Sequence, residues 1–139
     1  MSVQTLTFEV ETRGMTDVVD LTGQIAEKLD QCGLKDGTVT VFVPGSTAGI
    51  TTIEYEPGMQ QDLPIYFEKI APYGGHYHHH ETWDDNNGAA HFRAALLGPS
   101  LTVPFVNAHM TLGTWQQVVL VCFDTRPRRR KIILQILGE

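Results

Sequence analysis

The chain has 139 residues, 42% hydrophobic and 19% charged with 7 prolines, which excludes a disordered or fibrous protein and suits a single globular domain over residues 1–139. Lys and Arg number 10 against 16 Asp and Glu, and the formal charge of −6 argues against nucleic acid or an anionic membrane as the main partner. Cys32 and Cys122 have neither zinc-site spacing nor the density of a disulfide framework, so both read as reduced thiols in packing roles. With no leader pattern and no run of about 18 apolar residues, the expected location is the cytoplasm.

Residues 4–10 alternate, with Leu6, Phe8 and Val10 on one face, which predicts a half-buried strand. Arg13, Gly14 and Met15 turn the chain. Val18, Leu21, Ile25 and Leu29 then recur at helical spacing, with Thr16 or Asp17 available as a cap and Gly33 as a stop. Residues 38–43 and 48–55 read as strands that a hairpin would join. A second helix is expected from Asp62, which confines Pro64 to its first turn, and Pro72 closes it. Residues 73–90 lack apolar periodicity and read as a long loop. A helical turn over 92–97 ends at Gly98-Pro99, and strands follow at 101–106, 114–123 and 128–137. Residues 118–123 are apolar without alternation, as in a strand covered on both faces, by a second sheet or by another subunit.

The run HYHHHETWDDNNGAAH holds five of the 6 histidines together with Glu81, Asp84 and Asp85. Imidazole and carboxylate suit zinc, and carboxylate with amide oxygen suits magnesium, but the spacing matches no established metal motif, so metal binding and a plain polar loop stand level. PGSTAGI offers Gly45, Ser46 and Thr47. It reads first as a strand-connecting turn and second as a phosphate-binding one, lacking the lysine and following helix of a P-loop. Glu54 is either an outward-facing residue or a functional acid. The run from Arg126 to Lys131 is a solvated strand end or a phosphate site. Trp115 is expected to anchor the core, and one of Gln116 and Gln117 to need a buried partner.

Three segments, STAGITTIEYEPG, HETWDDNNGAAHFRAALLGPSLTVPF and LGTWQQVVLVCFDTRPRRRKIILQI, together resemble the YjbQ-like family over roughly residues 40–139. The resemblance implies an α+β fold of two packed, mostly antiparallel sheets flanked by helices, assembled as a homotrimer. It also implies secondary thiamine-phosphate synthase activity, joining a hydroxymethylpyrimidine diphosphate to a thiazole phosphate with release of pyrophosphate. The pattern H-x5-D-x-N-G-x2-H carries roles onto His79, Asp85, Asn87 and His91, and the TIE segment carries one onto Glu54.

Under this resemblance Glu54, His79 and His91 are the expected catalytic residues, and His79, Asp85 and His91 the expected ligands of zinc or magnesium. Ser46, Thr47, Asn87, Arg93, Thr114, Gln116 and Arg126 would line a pocket for a small phosphorylated molecule. Relatives commonly have a histidine where this chain has Ala89 and a glycine where it has Asn86, so one imidazole is lost. Two other readings stand beside the synthase: a zinc-dependent hydrolase with Glu54 as base, and a non-catalytic trimer that binds a phosphorylated ligand or metal.

Overall fold

Hydrophobic alternation places the strands, and the computed structural model describes residues 1–139. In chain order the elements are β1 (Ser2–Thr12), β2 (Asp17–Asp20), α1 (Thr22–Cys32), β3 (Gly37–Phe42), β4 (Ala48–Ile53) and α2 (Pro57–Ile70). They continue with α3 (His79–Trp83), α4 (Gly88–Leu97), β5 (Ser100–Val106), β6 (His109–Met110), β7 (Gln117–Cys122) and β8 (Arg128–Gly138). A five-stranded sheet, β1-β8-β3-β5-β6, faces a three-stranded one, β2-β7-β4, and every pairing is antiparallel. The expected α+β fold of two packed sheets is therefore present.

The main core lies between the sheets. Val39, Val41, Leu120, Ile132, Leu134 and Ile136 meet there, Leu21 joins them just ahead of α1, and α1 adds Ile25 and Leu29. Each such fully buried aliphatic side chain contributes roughly 1.5–3 kcal/mol relative to exposure. A second core on the outer face of the smaller sheet joins Val119, Val121 and Phe123 to Ala90 and Ala94 of α4, with Phe67 of α2 packed on it. This explains the unbroken apolar run in β7. Val118 and Leu120 face the larger sheet while Val119 and Val121 face helices, so one chain covers both sides.

Several local expectations shift. Val18 belongs to β2 and pairs with Val121, so tertiary strand pairing overrides its helical spacing with Leu21. Helix α1 starts at Thr22 and ends, as expected, at a left-handed Gly33 (φ 76°). Strands β3 and β4 lie in different sheets and form no hairpin, because the 43–47 segment carries the chain across the sandwich. Helix α2 starts at Pro57 because the Glu56 side chain caps the Gly58 and Met59 amides, which leaves Pro64 inside the helix. Trp115 is 74% exposed and is no core anchor.

Candidate functional site

The histidine-rich run is built around an anchored Tyr77, whose hydroxyl donates to the Pro72 carbonyl at 2.7 Å. The one-turn helix α3 follows, and left-handed Asp84 (φ 52°) and Asn86 (φ 55°) reverse the chain into α4. Asparagine tolerates that conformation better than most residues. Residue direction then alternates. His76 and His78 are exposed, whereas His79 and His80 turn toward α4. His80 Nε2 accepts the Gly88 amide at 3.0 Å, and a Cβ at Gly88 would sit 2.6 Å from Cβ of Tyr77, so glycine permits the close approach.

His79 and His91 stack with ring centroids 4.3 Å apart. The hydrogen-bond network orients the Asn87 amide so that its nitrogen donates to His79 Nε2 at 3.0 Å and to Asp85 Oδ1 at 2.8 Å. His79 Nε2 and Asp85 Oδ1 are 3.4 Å apart, and the Asn87 nitrogen bonds to both. Burial pushes the His91 imidazole below its ordinary value and the neighbouring His79 adds to this, while Asp85 and Asp124 pull the other way. His91 faces a cavity of about 200 Å³ that it lines with Gly45, Ser46, Ala48, Ala94, Ala95 and Pro99.

Behind the Gly45–Thr47 turn is a buried polar cluster. Arg130 is 8% exposed; its Nη2 donates to Thr47 Oγ1 at 2.7 Å and to Cys122 Sγ at 3.3 Å, and its buried Nε has no partner. Thr47 Oγ1 donates to Asp124 Oδ2 at 3.2 Å, and Asp124 accepts from Arg128 Nε at 2.8 Å and the Thr125 amide at 2.7 Å. Burial alone pushes the Asp124 carboxyl up, but Arg128 and the Thr125 amide hold it below its ordinary value. Arg130 has no such carboxylate partner. A Cβ at Gly45 would lie 3.2 Å from Arg130 Nη1, so this glycine (φ 114°) lets the turn pass close over the guanidinium. The amides of Gly45, Ser46 and Thr47 make no hydrogen bond within the chain.

The expected residues therefore divide. Ser46, Thr47, His79, Asp85, Asn87 and His91 gather at the Ala48 end of β4. Glu54 is exposed beyond the other end, six residues away, or roughly 20 Å at strand spacing. Thr114 and Gln116 are exposed at that end too, because Ile53 pairs with Gln117. Gln116 lines a separate cavity of about 290 Å³ with Thr52 and Leu101. Gln117 is the glutamine with an inner partner, accepting the Tyr55 amide at 2.8 Å.

Arg93 is fully buried and does not line this cavity: it donates to Ala71 O, to Thr16 Oγ1 at 2.8 Å and to Glu68 at 2.6 Å, and it lies over the Tyr73 ring. Its donors hold α2 to α4 and are not free for phosphate. Arg126 is exposed at the β7–β8 turn. Of the expected metal ligands, His79 Nε2 and Asp85 Oδ1 lie 3.4 Å apart with the Asn87 nitrogen bonded to both, and the His91 ring packs on His79. The His, Cys, Asp and Glu donors that do converge, within 4.8 Å, are His76, His78 and Glu81. A cavity of about 460 Å³ between residues 13–18 and α2 is lined by no imidazole.

Sequence reading held Arg130 only as one member of the run from Arg126 to Lys131, and it missed Asp124. A signal was present: counting by twos from Ile136 through Leu134 and Ile132 puts Arg130 on the inward face of β8.

A two-sheet α+β domain with an imidazole-lined cavity at one end of its smaller sheet is the class that this geometry defines. The chain belongs to the UPF0047 protein YjbQ-like family, whose model matches residues 6–139. It is 34% identical over 128 residues to a UPF0047 protein of Archaeoglobus fulgidus, covering 92% of this chain and 97% of that one. It is 29% identical to the UPF0047 protein YugU of Bacillus subtilis, covering 95% and 98%. Among solved structures, a hypothetical protein from Aeropyrum pernix K1 superposes with a TM-score of 0.91 at 33% identity, covering 98% and 99%. A YbjQ-like protein of unknown function from Sulfolobus solfataricus P2 gives 0.88 at 28%, covering 99% and 100%.

These relatives overturn the expected activity. They are described as UPF0047, hypothetical or of unknown function, and none is described as a thiamine-phosphate synthase. Regarding location, no helix is long and apolar enough to cross a membrane.

Proposed function

We propose that the cavity between the Gly45–Thr47 turn and α4 binds a small molecule through a phosphate or carboxylate group. The observation that carries this reading is Arg130, a buried guanidinium with an unpartnered Nε and no carboxylate against it. Burying an unpaired charge is costly, and an anion at the turn offsets that cost. Three amides without intramolecular partners, at Gly45, Ser46 and Thr47, supply an anion-binding concavity beside it. His91 lines the same cavity and supplies a proton acceptor next to the bound group. About 200 Å³ accommodates the anionic end of a metabolite and not a large cofactor.

The test is a titration of ¹⁵N-labelled protein with inorganic phosphate. Saturable shifts at the Gly45, Ser46 and Thr47 amides, lost in Arg130→Met and weakened in Ser46→Ala, support the reading. Amides that stay unmoved at millimolar phosphate overturn it.

The homotrimer implied by the family resemblance forms the second part of the proposal. Glu54, Thr114 and Gln116 lie too far from His91 to share its ligand within one chain, and exposed Trp115 beside them offers apolar contact surface. Light scattering should give three times the 15.5 kDa chain mass. A monomer would remove Glu54, Thr114 and Gln116 from the site and leave the anion cavity unaffected.

A further inference from the structure

We propose that His76, His78 and Glu81 form a surface site for one divalent transition-metal ion of the zinc type, separate from the His79–His91 cavity. His78 Nδ1 lies 3.3 Å from Glu81 Oε2, and His76 Nε2 lies 3.9 Å from Glu81 Oε1. Bonds of about 2.0–2.1 Å at tetrahedral angles separate two donors by roughly 3.4 Å, so the first pair already has coordination spacing. One donor atom from each of the three residues lies within 4.8 Å of the other two, a spread that rotation of exposed side chains closes. Two imidazoles and one carboxylate suit zinc, copper or nickel better than the oxygen-seeking magnesium or calcium.

The backbone sets up this arrangement. Tyr77 is held inward by its bond to Pro72 and by ring contact with His80 at 5.5 Å, so its two neighbours must point outward on the same side. The Glu81 amide donates to the His78 carbonyl at 3.0 Å, which closes a helical turn and brings the residue at i+3 beneath His78. His79 and His80 are committed elsewhere, to Asn87 and the Gly88 amide. The four clustered imidazoles thus divide into an outer pair and an inner pair. The outer pair also lies outside the H-x5-D-x-N-G-x2-H pattern. Exposure of all three side chains leaves the fourth coordination position open to water or an incoming ligand.

Zinc is titrated into metal-free full-length protein by calorimetry, and cobalt is used with long-range ¹H–¹⁵N spectra to identify the coordinating rings. Binding of one ion per chain should be at least tenfold weaker in His76→Ala and in His78→Ala, since even an outer-shell partner is worth about 10- to 100-fold in affinity. Cobalt should broaden His76 Nε2 and His78 Nδ1 before any other ring nitrogen. His79→Ala and His91→Ala should leave the affinity within about twofold, a bound well below that range. The proposal is overturned if zinc binding is lost in His79→Ala and kept in His76→Ala, or if no saturable binding occurs at millimolar zinc. All three residues are exposed, so circular dichroism of each variant should match the parent.

Discussion

Arg130 Nη2 donates to the Thr47 hydroxyl at 2.7 Å, and that hydroxyl in turn donates to Asp124 Oδ2 at 3.2 Å. One threonine thus joins a buried cation on the larger sheet to a buried carboxylate on the smaller, at the end where the candidate cavity opens. Replacing it by isosteric valine keeps the volume and leaves both groups short of a partner. Thr47→Val should cost about 1–3 kcal/mol in urea unfolding. Thr47→Ser, which retains the hydroxyl, should cost clearly less.

Asp124 gives this cluster its pH dependence. Its folded pKa lies below the ordinary value of 3.8, so the unfolded chain binds the proton more readily. The stabilisation is complete above that ordinary value and is lost as the pH falls through the lower folded one. Urea midpoints measured between neutral and strongly acidic pH should show this loss in the parent, and Asp124→Asn should flatten it.

His91 titrates below its ordinary 6.5, so its contribution to stability has the corresponding dependence: present above that value and lost as the pH falls below it. Burial is the first cause and His79 the second, while Asp85 opposes both. In an NMR titration, His79→Ala should raise the His91 pKa part of the way toward ordinary, and Asp85→Asn should lower it further. Opposite signs would contradict the arrangement of the four groups.

Gly49 sets the distance between β4 and the end of α4. A Cβ there would stand 2.8 Å from the Gly98 carbonyl oxygen and 2.8 Å from Leu97 Cδ2, and the neighbouring Ile50 amide already donates to that carbonyl at 2.9 Å. Gly49→Ala should destabilise by about 1–3 kcal/mol, the usual cost of overpacking. It should also weaken phosphate binding, because Ala94, Ala95 and Pro99 of the cavity wall move with that end of α4.

Arg93 separates structural from ligand-binding cations. Arg93→Met leaves the Ala71 carbonyl and the Thr16 hydroxyl without their donor and should cost about 2–4 kcal/mol. Phosphate binding by the folded fraction should be unchanged. A selective loss of binding with stability preserved would return Arg93 to the site.

Much of the fold follows from local pattern. Alternation at Leu6, Phe8 and Val10 specifies β1, Gly33 stops α1, and the unbroken Val118–Cys122 run requires cover on both faces; each depends on a period of two or a backbone preference carried by single residues. The motif likewise brings His79, Asp85, Asn87 and His91 together, since all lie within one reversal of the chain. Only tertiary structure decided the rest. Strand pairing drew Val18 out of α1 into β2, and the crossing of residues 43–47 between sheets set Ser46 beside His91 while carrying Glu54 to the far end of β4. The most consequential case is the arginine run: composition leaves it a solvated strand end or a phosphate site, whereas β8 alternates, so Arg129 faces water and Arg130 enters the core. Which of two adjacent cations is buried depends on which sheet face meets another layer, and that is fixed by packing across the whole sandwich.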